Sequence, residues 1–248
     1  MSGERGLCAY AITRGTRWDL VGLPELRAAG PPELIRHDGL ALVVTEVDTA
    51  LFGGLDAEEP AEDGLLAKLV RDHDAIVRAV FEHEPVLPLR FGTVVADEPA
   101  ARRLLSSSCD EVTRWLDRVA GHREWGVRVD HGAQPVEETP LTGLSGADYL
   151  RRRRQSRLDG RQLKDHQAEA AQALHSALAG LATDAVHRTQ RPQTLLDAAY
   201  LVQEANEDAF RRAAAELGEE ARGRGATVHA TGPWPPYSFT RLELGVAG

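Results

Sequence analysis

From Leu65 to Phe81, Leu65, Leu66, Leu69, Val70, His73, Ile76, Val77, Val80 and Phe81 recur at three- and four-residue spacing before Pro85 closes the run. On a helix of 3.6 residues per turn this spacing makes one continuous stripe, and such a stripe needs an apolar partner to cover it. Nearby sequence supplies one. Leu7 to Thr13 and Leu40 to Val47 are short β-branched runs bounded by Gly, Pro and charge, the pattern of buried strands. Between them Pro24, Gly30, Pro31 and Pro32 interrupt the chain repeatedly.

The alternation continues. Val86 to Val95 predicts a strand whose Pro88 belongs at an edge or a bulge. Asp97 and Pro99 predict a helix start, and one stripe then runs through Leu104, Leu105, Cys109, Val112, Leu116 and Val119 to Gly121. Trp125 to Val129 reads as the next strand, with a Pro- and Gly-containing connector up to Gly146. Ser145 and Asp148 have capping-box spacing ahead of a long helical pattern through Leu150, Leu163, Leu174 and Leu181, either one helix or two with a break near Gly160. Leu195 to Val202 reads as strand, Asn206 as the cap of a helix that buries Phe210, Ala214, Leu217 and Ala221, and Thr227 to Ala230 as a last strand. Interleaved strands and amphipathic helices in each half predict an α+β protein of two domains, residues 1–122 and 123–248, each a small, mainly antiparallel sheet covered by helices.

Composition narrows the function. The 248 residues carry a net charge of −9, which opposes general binding to a nucleic-acid backbone. The N-terminus has neither a signal-peptide pattern nor a membrane span, and the two cysteines, Cys8 and Cys109, are expected as buried free thiols in a reducing cytosol. From Gly53 to Gly64 the chain holds Asp56, Glu58, Glu59, Glu62 and Asp63 without one base, the signature of a solvated acidic loop.

Candidate chemistry is sparse. No phosphate-binding loop occurs, and Gly143-Leu144-Ser145-Gly146-Ala147 lacks both the last glycine and the preceding strand of a nucleophile elbow. His73-Asp74 is the one pair suggesting a metal-dependent hydrolase, but His83 lies about 15 Å further along the same helical run and no zinc-ligand motif is present. Arg151 to Arg154 with Arg157, Arg161 and Lys164 form a basic stretch, read as a solvated helix surface, as a face for an acidic partner, or as a nucleic-acid contact. No nucleophile, base and orienter assemble from these positions, and no cofactor or metal site is expected.

Near the end of the chain, Gly232-Pro233-Trp234-Pro235-Pro236-Tyr237-Ser238-Phe239 sets three of the thirteen aromatics within six positions. Its prolines fix φ and remove backbone donors, so it belongs in neither a helix nor a central strand. A stiff aromatic segment either closes the chain's own core or offers a contact surface, and the two roles are compatible.

Val86-Leu87-Pro88-Leu89-Arg90-Phe91-Gly92-Thr93-Val94-Val95, together with Thr231 to Phe239, resembles the paired signature of the GvpF/GvpL gas vesicle proteins. Tyr10, Tyr149-Leu150-Arg151 and Ala199-Tyr200-Leu201-Val202 are similar to that family as well, so the resemblance covers nearly the whole chain. It implies a two-domain α+β protein with a ferredoxin-like C-terminal domain and no catalytic activity. It further implies a cytoplasmic, vesicle-associated assembly or minor structural protein whose partners are the apolar shell protein and other gas vesicle accessory proteins, not a membrane or a nucleic acid. No catalytic residue carries over. Aromatic and Arg content select Arg90, Phe91, Trp234, Pro235, Pro236, Tyr237 and Phe239 as the candidate partner contact.

Overall fold

A strand in the middle of a sheet must be apolar on both faces, and Arg5–Thr13 (β1) meets that demand: every residue from Cys8 to Thr13 is buried. The computed structural model describes residues 5–15, 20, 22–27, 29–50, 64–132, 146–188, 191–240 and 242. Contacts divide the chain into two units, Met1–His122 with Trp234–Gly248, and Arg123–Pro233. The aromatic tail thus groups with the first unit, whereas the sequence reading carried it with residues 123–248.

In the first unit β1 pairs antiparallel with Leu40–Asp48 (β3), which pairs in turn with Glu33–His37 (β2). The β2 strand was not foreseen, because its ELIRH sequence alternates weakly and follows two prolines. The β2–β3 hairpin turns at Asp38-Gly39 with φ of 48° and 76°, the Asp-Gly signature of a tight turn in which both central residues are left-handed.

On its other side β1 pairs with Leu87–Pro88 (β4) and Val94–Val95 (β5). The continuous strand expected over Val86 to Val95 is therefore two short contacts with a turn between them. Pro88 has no N–H to extend the ladder, and Thr93 closes the turn by donating through both its N–H and its hydroxyl to the Arg90 carbonyl, at 3.1 and 2.7 Å. The ends of the turn stay tied to β1 through Leu89 N–H to Tyr10 O at 2.9 Å and Ala9 N–H to Thr93 O at 2.8 Å. A bulge in β1 between Ala9 and Ala11 shifts its register with β3 at the same level.

Helix α1 (Leu65–Phe81) follows the predicted stripe, burying Leu69, His73, Ile76, Val77 and Val80. The four aliphatic ones join Cys8, Tyr10, Leu26, Val43, Val47 and Val86 in one core, where burial pushes the Cys8 thiol up to about 11. Asp97 caps α2 (Glu98–Ser107) by accepting from the Ala100 N–H at 2.7 Å, as its position predicted. The single stripe expected as far as Gly121 instead breaks at Ser108, which has φ −113° and ψ 7°, and resumes as α3 (Cys109–Val119). Cys109 at the break is only half-buried, not buried as expected.

The second unit contains α4 (Gly146–Leu181), β7 (Asp184–His187), β8 (Thr194–Gln203) and α5 (Glu207–Gly223), with all but the first residue of β6 (His122–His131) and all but the last of β9 (Ala226–Trp234). Its sheet runs β7-β8-β6-β9, built from a β-α-β-β-α-β succession. Val129, Leu174, Leu178, Tyr200, Phe210 and Val228 centre its core. Helix α4 is continuous through Gly160, resolving the two readings of that segment. Asn206 stands at the N-cap of α5 but makes no side-chain cap bond, since a 3-10 turn over Glu204–Asn206 already leads the backbone into the helix. β9 runs to Trp234 despite Pro233 because it is an edge strand. Ser145 and the acidic run Asp56 to Asp63 lie outside the described residues.

Two glycines in the second unit separate backbone crowding from helix propensity. A Cβ on Gly132 would stand 1.7 Å from the Gly225 carbonyl oxygen, whereas one on Gly180 in α4 meets nothing within 4 Å. Gly132→Ala should destabilise by about 1–3 kcal/mol, and Gly180→Ala should stabilise by about 0.5–1 kcal/mol, as read by urea denaturation.

Candidate functional site

The turn after β4 and the aromatic tail, 140 residues apart in sequence, meet in the first unit on the outer side of α1. They enclose a groove of about 740 Å³. Its walls are Val70, Arg71, His73 and Asp74 from α1, Pro88 to Phe91 and Thr93 from the turn, and Tyr237, Thr240 and Leu242 from the tail.

Helix periodicity determines which α1 residues face the tail. Asp74 and Arg78 are one turn apart and pair through Arg78 Nε at 2.6 Å. That pair then receives both aromatic rings of the tail. The Tyr237 hydroxyl donates to Asp74 Oδ1 at 3.0 Å, and the Arg78 guanidinium lies over the Trp234 ring, 3.8 Å from its centroid. A cation over an indole face contributes about 0.5–1 kcal/mol at a partly exposed site, and a surface helical ion pair about 0.3–0.5 kcal/mol. Individually these are modest. Their value lies in sharing one carboxylate and one guanidinium, which fixes the tail's position on α1.

Beyond the clamp the tail tightens into a 3-10 turn, Tyr237–Phe239, whose Thr240 hydroxyl donates to the Pro236 carbonyl at 3.3 Å. Pro235, Pro236 and Phe239 are buried, while Trp234 and Tyr237 are half-buried. Of the expected contact residues, those three are thus committed to the unit's own packing. Arg90 is exposed at the tip of the turn, and its side chain meets no partner among the described residues. Phe91, half-buried, packs on the core edge-on to His73 with ring centroids 5.7 Å apart.

His73 forms the groove floor. The Leu89 carbonyl 3.1 Å from Nε2 can only accept, so the neutral ring carries its proton there. Nδ1 is then an acceptor, buried with no hydrogen-bond partner among the described residues. Burial holds the ring's pKa below its ordinary value, opposed by the Leu89 bond and by Asp74. Nothing here is arranged for a hydrolytic metal: Asp74 is engaged by Arg78 and Tyr237, and among the described residues no three His, Cys, Asp or Glu side chains gather around a common point.

Asp74 and Arg78 escaped the sequence reading as a tail clamp. Their four-residue spacing on the polar side of α1 was the available signal, but nothing local indicates which distant segment an exposed ion pair receives. The basic stretch Arg151 to Lys164 belongs to the second unit, on α4.

The gas vesicle synthesis protein GvpL/GvpF family matches residues 6–241. Gas vesicle protein L of Streptomyces sp. (strain CB03234) is 38% identical over 98% of this chain and 95% of its own length. Gas vesicle protein F2 of Halobacterium salinarum is 24% identical over the same shares. The crystal structure of the gas vesicle protein GvpF from Anabaena sp. PCC7120 superposes with a TM-score of 0.71 at 19% identity, covering 96% of this chain and 97% of that one. That of GvpF from Microcystis aeruginosa does so at 0.68 and 16%, covering 96% and 99%. These two likenesses establish the shared α+β fold.

Two measurements test the clamp and the floor. Tyr237→Phe removes only the hydroxyl and should cost about 1 kcal/mol in chemical denaturation, with near-ultraviolet circular dichroism unchanged. Because the folded His73 pKa lies below its unfolded 6.5, the unfolded chain binds the extra proton as pH falls. The His73 contribution is therefore complete above about pH 6.5 and declines as pH drops toward the folded value. His73→Gln should flatten the fall in melting temperature between about pH 7 and 5.5 relative to wild type.

Proposed function

This chain belongs to the GvpL/GvpF family of gas vesicle synthesis proteins, and from that premise we propose that it is a non-enzymatic accessory or minor structural component that binds the major apolar shell protein during vesicle assembly. The proposed contact is the groove of the first unit. Its supporting observation is convergence: both stretches that resemble the family signature contribute to the lining of one cavity, Val86 to Val95 through Pro88 to Phe91 and Thr93, and Thr231 to Phe239 through Tyr237.

The chemistry suits a greasy partner with a polar handle. Val70 is 41% exposed at the rim, half-buried Phe91 supplies apolar surface, and Arg90 adds an exposed guanidinium. A subunit built to line a gas space exposes apolar surface before it assembles, and a protein that covers this surface transiently suppresses its aggregation. In this reading the work is done in the cytoplasm at the growing vesicle, alongside other gas vesicle proteins, with no cofactor.

Val70→Ser with Arg90→Ala alters the rim while sparing His73, Asp74 and Tyr237. The double variant should capture the host's shell protein at least about tenfold more weakly in co-purification, with its melting temperature unchanged. Undiminished capture would remove the groove from the contact. Normal buoyancy in a host lacking the gene would overturn the assembly role itself.

A further inference from the structure

Helix α4 spans about 54 Å at 1.5 Å per residue, yet its first buried side chain is Gln167. From Ala147 to His166 all but three residues, Asp148, Gly160 and Leu163, are exposed. This half of the helix is not held by a core, and it is strongly one-signed. Seven cations stand against Asp148, Asp159 and Asp165, in a chain whose net charge is −9.

The cations are ordered by the helix. Arg153, Arg157 and Arg161 succeed one another at four-residue spacing, and Arg154 and Lys164 fall beside them on the same face, whereas Arg151 and Arg152 point elsewhere. Arg151 pairs with Asp148 at 3.6 Å, but none of the five on the common face has an ion-pair or hydrogen-bond partner among the described residues. Like charges at this spacing repel, so the arrangement works against the isolated helix. Leu150 lies within this face and Leu158 at its edge, 65% and 48% exposed.

We infer that this face of α4 is a docking surface for an acidic amphipathic segment of another protein, a helix whose carboxylates meet the Arg row and whose apolar residues cover Leu150 and Leu158. Charge complementarity supplies the argument. Four of the five cations are Arg, whose fork pairs carboxylates bidentately, and the leucines add an apolar component that a phosphate backbone would not use. The chain's overall negative charge also disfavours a long polyanion, which meets the whole molecule's field, more than a short peptide. This face is independent of the groove, and its test does not depend on the shell protein.

The probe is a labelled synthetic helix of about three heptads with Leu at a and d and Glu or Gln elsewhere, titrated against the full chain by fluorescence anisotropy. Binding should weaken at least about tenfold between 50 and roughly 300 mM salt. Arg153→Gln, Arg157→Gln and Arg161→Gln together should weaken it by about tenfold or more at low salt while far-ultraviolet circular dichroism stays unchanged. Leu150→Ser with Leu158→Ser should weaken the amphipathic probe severalfold but leave poly-glutamate of equal charge unaffected. Wild-type affinity in the triple Gln variant would overturn the proposal. So would tighter binding of single-stranded DNA or of phosphatidylserine vesicles than of the peptide, since either would assign the face to phosphate.

Discussion

Strand β1 has no solvent side. Partners flank it along both edges and the α1 stripe covers it, so the first unit can be assembled only around it. This constraint explains the odd form of the adjoining segment. A strand already paired along one edge with β3 leaves the other for a partner, and Val86 to Val95 supplies that partner in two pieces because Pro88 cannot continue a ladder. The interruption releases Arg90 to Thr93 from the sheet, and that released turn becomes a groove wall. The groove wall is thus a by-product of how an edge is closed.

Where one physical signal dominated locally, the fold was legible. The α1 stripe, the Asp97 cap, the β-branched runs of β1 and β3 and the Pro-limited edge all stand where periodicity and backbone chemistry put them. Legibility failed where tertiary contacts decided. β2 and β7 are short and charged, and they become strands by pairing with β3 and β8 rather than by their own pattern. Ser108 divides a stripe whose apolar spacing alone would carry one helix through it, and Asn206 is bypassed by a turn that is already helical. Of the candidate contact residues Arg90, Phe91 and Tyr237 line the groove while Trp234, Pro235, Pro236 and Phe239 do not, and the α1 clamp went unnamed because an ion pair on a polar helix face looks the same whether or not a ring rests on it.

The two units use polar groups differently. In the first, Asp74 and Arg78 are shared between a helix and a distant tail, so a few atoms set the shape of a cavity. In the second, the conspicuous charges on the first half of α4 meet no core at all, and their order along one face is visible only once the helix is known to be continuous. Reading the α4 stretch as solvated helix surface is right about exposure and silent about arrangement.

The first unit is discontinuous in the chain: it begins at the N-terminus and is completed by residues from Trp234 onward, with the whole of Arg123–Pro233 synthesised in between. On the ribosome, therefore, the second unit emerges in full before the groove has its third wall. A nascent chain that stops short of Tyr237 carries α1 without that wall, and only one extended through Leu242 presents the closed cavity. Of the groove's three walls, the one built by Tyr237, Thr240 and Leu242 is therefore the last to be synthesised.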